Sequence, residues 1–294
     1  MGKRSELAYQ GLDDYRWSGL LIVEGNAIYY HGRVSPVRRP HKIGALEIIF
    51  ALDGYVLVRT GDNESWTKCL AVAIDTNQQR QIDFSNTDQC LIGFFLPGSL
   101  QARQIRRNCS FENGIAVIPE QIIKVSSSKL YDLIGYSERY GRKKPEKLKE
   151  NAKLLLDEVI NQFGDPMEID SRVLRALIAI HNRIPNWRVK EIIEEITRES
   201  WKQWRSGRQL REILKSQIEV TFKEYLSLLQ MREALKKIAA LKDTLDITTL
   251  NDSIDTAVKQ AGFYDQSHFN RTSLKMVGIL LTPLIHNSQI LVIE

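Results

Sequence analysis

The chain has 294 residues, with 41 lysines and arginines against 36 aspartates and glutamates, a formal charge of +5 at neutral pH. That length bounds one or two domains, two being the working count, and the mild basic excess permits a polyanionic partner without establishing one. Cys69, Cys90 and Cys109 are odd in number and widely spaced, so neither a disulfide framework nor a Cys-x-x-Cys zinc site is supported. The N-terminal residues carry no apolar signal core and no run is long enough to span a bilayer, so a cytoplasmic protein with reduced thiols and no membrane contact is expected.

The first half reads as β-structure. Leu20-Leu21-Ile22-Val23 and Asn26-Ala27-Ile28-Tyr29-Tyr30 are apolar runs broken by Glu24-Gly25, a turn-like pair. Ala45 to Thr60 predicts a hairpin, two β-rich runs meeting at Asp53-Gly54, where glycine tolerates positive φ. Cys69–Ile74, Gln81–Phe84, Cys90–Leu96 and Gly114–Ile118 follow, each bounded by polar or Gly/Pro residues. Short strands at such intervals suggest a sandwich or small barrel. His31 and His41 are the only histidines in this half, and no His-x-His with a following Glu appears, so no metal is expected. His31 is read as a surface residue at a strand end, and His41, after the basic Arg38-Arg39-Pro40, as part of a solvated loop near the barrel mouth.

From Lys129 the pattern turns helical, and Arg142-Lys143-Lys144-Pro145 makes a charged, proline-closed linker. Glu146–Phe163 places Leu148, Ala152, Leu155, Leu156, Val159, Ile160 and Phe163 at helical spacing. Packing within one domain accounts for such a face as well as packing between domains or pairing of two subunits, the uses implied by the family resemblance given below. Gly164-Asp165-Pro166 ends this helix, and Asp170 is placed to cap the next. Near the C-terminus, Ile254–Ala261 is an amphipathic run stopped by Gly262, with Asp265 set to cap a second helix. In that helix Phe269 and Ser273 form the inner face while Gln266, Ser267, Asn270 and Arg271 look outward. Helix, glycine turn and polar-faced helix make the helix-turn-helix pattern, and amides with a guanidinium suit base edges and phosphates. The tail, Ser288–Glu294, contains the apolar run Ile290-Leu291-Val292-Ile293, which suits a strand or an unstructured end alike.

The stretch Ile254–Arg271, with Gly278 and Thr282-Pro283 beyond it, resembles the second helix-turn-helix signature of the AraC/XylS family of bacterial transcription regulators. Ala257-Val258 stands in place of the usual Ile-Ala pair. The resemblance implies structural signature positions at Gly262, Phe263, Asp265, His268 and Phe269, and DNA contacts from Gln266, Ser267, Asn270 and Arg271. It further implies a first unit whose recognition helix begins at Ser206-Gly207-Arg208-Gln209-Leu210-Arg211, with Arg208 and Arg211 toward DNA. Val220–Leu226 opens the connecting helix, Thr221–Leu241, with Phe222, Tyr225, Leu226, Leu229, Leu235 and Ile238 facing the core. Ala45–Gly54 is similar to the cupin-like sensor domain of such regulators.

The implied fold class is α+β, an N-terminal cupin-like β-barrel or sandwich and a C-terminal all-α tandem helix-turn-helix domain. Residues 1–141 would be the β-rich sensor, 142–165 a linker helix and 166–294 the DNA-binding domain. Double-stranded DNA is the implied partner, with RNA polymerase, an unidentified small-molecule effector and a second copy of the chain as further ones; no cofactor and no enzymatic activity are implied. The alternative is a diverged protein of the same fold that acts through protein–protein contacts without specific operator binding. Several positions depart from the family pattern. Val189–Trp204 fits only with extra residues, Glu212 and Gln230 stand where Arg is common, and Glu219 stands where Gly is usual. Ser273 and Val277 replace aromatics, which is expected to loosen packing in the second unit, and two residues are inserted before Thr282-Pro283.

Overall fold

A computed structural model of the chain describes residues 18–34, 40–61, 65–119, 122, 145–182, 189–199, 206–242 and 247–293. The linker residues Arg142, Lys143 and Lys144, and Trp201 and Trp204, lie outside the described residues.

Among the described residues the first half forms nine strands in two sheets, which take up the apolar runs. β1 (Ser18–Glu24), β2 (Ala27–Arg33), β3 (Leu46–Ala51), β6 (Ala71–Ile74), β8 (Cys90–Phe95) and β9 (Ile115–Val117) join a larger sheet, and β4 (Val56–Thr60), β5 (Thr67–Cys69) and β7 (Arg80–Asp83) form a smaller one. The strands of the larger sheet read as continuous apolar runs because both faces are covered. Leu21, Val23, Ile28, Tyr30, Ile49 and Ile92 share one core with the smaller sheet and the helical half. Leu20, Ile22, Tyr29, Ile48 and Leu91 face the other way, toward helices α1 (Leu100–Asn108) and α2 (Pro145–Asn161).

The uses open for the apolar face of α2 are thereby decided. Leu148, Ala152, Leu155, Leu156, Val159, Ile160 and Phe163 are all buried within the chain against the larger sheet. Each of the leucine, valine, isoleucine and phenylalanine side chains stabilises the fold by about 1.5–3 kcal/mol, so the face belongs to this subunit's core.

The predicted hairpin at Asp53-Gly54 is a crossing instead. β3 pairs with β6 and β8, whereas β4 pairs with β5 and β7, so the turn carries the chain from one sheet to the other. Gly54 has φ +72°, and a Cβ there would meet the Asn86 carbonyl at 1.9 Å. The Asp53 carboxylate accepts hydrogen bonds from the Thr87 hydroxyl at 2.6 Å and the Gln89 N–H at 3.0 Å, fixing the facing loop. The run Cys69–Ile74 likewise changes sheets at Leu70. His31 is buried, not a surface residue, and burial pushes its pKa down to about 4. His41 is partly buried and shares a β-bridge with Arg80 rather than standing in a solvated loop.

The helical half comprises α3 (Ser171–His181), α4 (Val189–Glu199), α5 (Gly207–Ile218), α6 (Phe222–Lys242), α7 (Ile247–Gln260), α8 (Gln266–Val277) and α9 (Leu281–Asn287). Thr221 and Glu224 open α6 with a reciprocal capping box, at 3.0 and 3.2 Å. The expected core residues of α6 are buried, and so are Leu228, Met231, Arg232 and Ala234 on its other sides. The reason is that the β-rich half packs on those sides: Arg232 donates to the Gly25 carbonyl at 2.7 Å and to Asn26 Oδ1 at 3.2 Å, in the turn between β1 and β2.

The tail is a strand. Lys242 donates to the carbonyls of Ile285 and, at 2.5 Å, Ser288, where α9 passes into β10 (Ser288–Ile293). β10 then pairs in parallel with β1, from Gly19↔Ser288 to Glu24↔Ile293, as the edge of the larger sheet. The architecture is the α+β class expected, a two-sheet β-sandwich followed by helices, with the last strand returned to the β-rich half.

Candidate nucleic-acid interface

The second helical pair is built by local chemistry that is visible in the sequence. At the end of α7, Gly262 takes φ +97°, the Phe263 N–H bonds back to the Val258 carbonyl at 3.0 Å and the Gly262 N–H to that of Lys259 at 3.0 Å. This is the Schellman arrangement, which satisfies the last carbonyls of a helix. Phe263 then packs edge-on against Phe269 and His268, with centroids 5.3 and 5.4 Å apart. The Asp265 carboxylate accepts the His268 N–H at 2.6 Å and so starts α8. His268 in turn accepts the Tyr264 N–H on Nδ1 at 3.3 Å, which explains an imidazole at an exposed position.

The outward face of α8 differs from the sequence expectation at two of four positions. Ser267 and Arg271 are exposed. Gln266 and Asn270 are partly buried and engaged within the chain: Gln266 Nε2 donates to Thr282 Oγ1 at 3.2 Å, and Asn270 Oδ1 accepts the Thr282 N–H at 3.1 Å. Both amides therefore hold the turn from α8 into α9. Ser273 joins them. Its fully buried hydroxyl lies 2.9 Å from the carbonyls of Asn270 and Ile279 and accepts the Leu281 N–H at 3.3 Å. The loosening expected from an aromatic replaced by serine is offset by these bonds, which organise the inserted residues.

In the first pair, Ser206 caps α5 by accepting the Gln209 N–H at 3.3 Å. Gly207 lets α5 approach α4 closely, since a Cβ there would lie 2.7 Å from Ile193 Cγ2. Leu210, Leu214 and Ile218 form the buried stripe, leaving Arg208, Arg211, Glu212 and Lys215 exposed. Arg208 Nε donates to Glu212 Oε1 at 2.7 Å, so its charge is locally balanced by the anionic neighbour one turn on. Two cations were not singled out in the sequence. Lys215 and Lys275 are exposed one turn beyond Arg211 and Arg271, and the i, i+4 spacing was the available signal. Lys275 reaches Glu224 on α6 at 3.4 Å.

Among the described residues no cluster of three or more His, Cys, Asp or Glu could hold a metal, and no helix is long and apolar enough to cross a membrane.

No protein-family model matches the chain, and no curated protein does. Among solved structures it is similar to ToxT from Vibrio cholerae O395, at 12% identity over 89% of this chain and 98% of that one, with a TM-score of 0.48. An apo ToxT variant from Vibrio cholerae strain SCE256 is similar at 10% identity over 89% and 97%, with a TM-score of 0.49. A third is the unsaturated-fatty-acid-bound wild-type ToxT of that strain, at 12% identity over 88% and 94%, with a TM-score of 0.45.

Proposed function

We propose that the chain is a DNA-binding transcription regulator of the AraC type in which the second helix-turn-helix unit does most of the sequence reading. The observation that carries this is α8: a capped helix after a glycine turn, presenting Ser267 and Arg271 on an exposed face. A guanidinium there meets a guanine edge or a phosphate, and a hydroxyl pairs with either base edge. In this reading Gln266 and Asn270 set the α8–α9 turn, and Arg208 and Arg211 bring α5 to the backbone of a neighbouring groove, about 34 Å along the duplex. Residues 1–141 sense, 142–165 link and 166–294 read DNA, with β10 tying the reader back to the sensor. An effector at the β-rich half, RNA polymerase and a second copy of the chain belong to the same proposal, and no catalysis does.

The test is selection of fragments from the source genome by the full chain, followed by salt-titrated affinity for the best fragment and for bulk DNA. A selected fragment should bind more tightly than bulk DNA, and Arg271→Ala should weaken it. Equal affinity for selected and bulk DNA would favour the alternative, a protein of this fold that acts through protein contacts.

A further inference from the structure

We propose that the β-rich half holds both recognition helices by their C-terminal caps through one strip of loop, and that Glu219 is the residue through which it sets the position of α5. The strip is continuous. Residues His41 and Arg80 exchange backbone hydrogen bonds at 2.9 and 3.0 Å, and the Asn77 N–H donates to the Ile43 carbonyl at 2.7 Å. At one end of the strip, the Gly44 N–H donates to the Met276 carbonyl at 3.2 Å and the His41 ring lies where a Cβ on Gly278 would fall, 2.3 Å from its Nε2. Gly278 is the cap of α8.

At the other end stands Glu219, the cap of α5. Its φ of 60° is a left-handed conformation that a glycine adopts without strain. Such backbone persists where surrounding contacts over-determine it, and the side-chain and carbonyl contacts here come from the β-rich half. Asn77 Nδ2 donates to the Glu219 carbonyl at 2.7 Å, and Thr76 Oγ1 donates to its carboxylate at 3.2 Å. Arg106 of α1 bridges that carboxylate, at 2.8 Å, to Asp75, at 2.5 Å. A change in the β-rich half that shifts residues 75–77 or α1 therefore displaces α5 relative to α8. The bearing of this on DNA rests on the regulatory reading above; the coupling does not.

The experiment reads the distance between the helices directly. Ser216→Cys and Leu274→Cys place spin labels on exposed positions of α5 and α8, and the three native cysteines are buried. The labelled full chain should give a narrow distance distribution. Arg106→Gln and Glu219→Gln should each broaden it, the double variant should add nothing further, and Arg208→Gln, in the exposed pair of α5, should leave it unchanged. Distributions as narrow in Glu219→Gln and Arg106→Gln as in the parent would overturn the proposal. Should Arg106→Gln fail to fold, Glu219→Gln decides alone, its side chain being half exposed. A parent chain that prefers no DNA sequence would sink the regulatory reading and leave the distance result standing.

Discussion

The two helical units can be superposed on paper by their caps. α5 and α8 each have 12 residues, an N-cap side chain accepting an N–H three residues on, and a C-cap in the left-handed region. Registered this way, Leu210 falls opposite Phe269, Leu214 opposite Ser273, Glu212 opposite Arg271 and Glu219 opposite Gly278. The frame is common and the chemistry is not. An N-cap needs only a short acceptor and a C-cap only a backbone that accepts positive φ, so serine and aspartate, or glycine and glutamate, meet the same demand at different cost. The exposed centre of the helix carries no such demand, and there the sign of the charge is inverted, from Arg271 to Glu212. Under the proposed function the second unit is the reader, and the first is a positioned element tied to the β-rich half.

The largest expected effect tests whether the two units share one support. Behind the strip at 41–44 and 75–80, Arg80 and Glu47 form a pair at 2.6 Å with no exposed side-chain surface. Removing one partner of such a pair leaves a buried charge and costs about 3–5 kcal/mol. Arg80→Met should lower the denaturant midpoint accordingly. It should also raise hydrogen exchange at both caps together, around Glu219 and around Gly278. Faster exchange at one cap only would break the symmetry of the comparison.

Next in size is a change confined to the second unit. Ser273→Ala removes the hydroxyl that pairs the Leu281 N–H and faces two carbonyls, leaving buried polar groups unmatched at a cost of about 1–3 kcal/mol. Exchange should quicken across 278–282 while α5 keeps its protection. Leu214, the registered counterpart in α5, packs by apolar contact alone, so Leu214→Ala should cost about 2–5 kcal/mol with no comparable loop signal.

What was legible in the sequence follows the range of the interaction. The glycine turn at Gly262, the caps Asp265 and Asp170 and the apolar stripe of α2 are all decided within a few residues, and they stand as read. The Asp53-Gly54 turn was also read correctly as a turn, but the partners of its flanking strands are set by residues such as Asn86 and Gln89, which its local chemistry does not name. Helix α1 passed unnoticed although Ser99 accepts the Ala102 N–H as its cap, because polar residues dominate its short span. The engagement of Gln266 and Asn270 by Thr282 depends on how the inserted residues fold, and the Arg106–Glu219 contact spans 113 positions. Neither leaves a periodic trace.

A pH measurement separates the units more finely. His181, on α3 against Tyr225, has its pKa lowered to about 4, first by burial and then by the positive charge of Arg232, with Lys236 adding to it. The unfolded chain takes this proton near pH 6.5 and the folded chain only near 4, so its contribution is fully present above 6.5 and is lost as pH falls through that window. His31 behaves alike, and Glu24, whose carboxyl burial pushes up to about 7, opposes them by gaining stability as pH falls from about 7 toward 4.5. The difference between the parent and His181→Gln isolates one term. The variant should lose less stability between pH 6.5 and 4, by on the order of 1–3 kcal/mol allowing for partial exposure. Parallel curves would show that the histidine is not held neutral against α6.

The smallest effect on the fold is the most informative for DNA. Glu212 and Arg208 are exposed and joined at 2.7 Å, so Glu212→Gln should leave the unfolding midpoint of the chain where it is. For binding, the two units then become comparable. With its partner neutral, Arg208 is free to meet a phosphate, and one added phosphate contact should steepen the slope of log affinity against log salt by roughly 0.9. Arg271→Ala should do the reverse in the second unit, making the slope shallower by roughly one if that side chain holds a phosphate. The two changes act at registered positions and should carry opposite signs. A steeper slope in Glu212→Gln would place α5 against the duplex, with its own carboxylate as the restraint. An unchanged slope, with Arg271→Ala still shallower, would leave α8 as the sole contact and make the first unit a spacer held by Glu219.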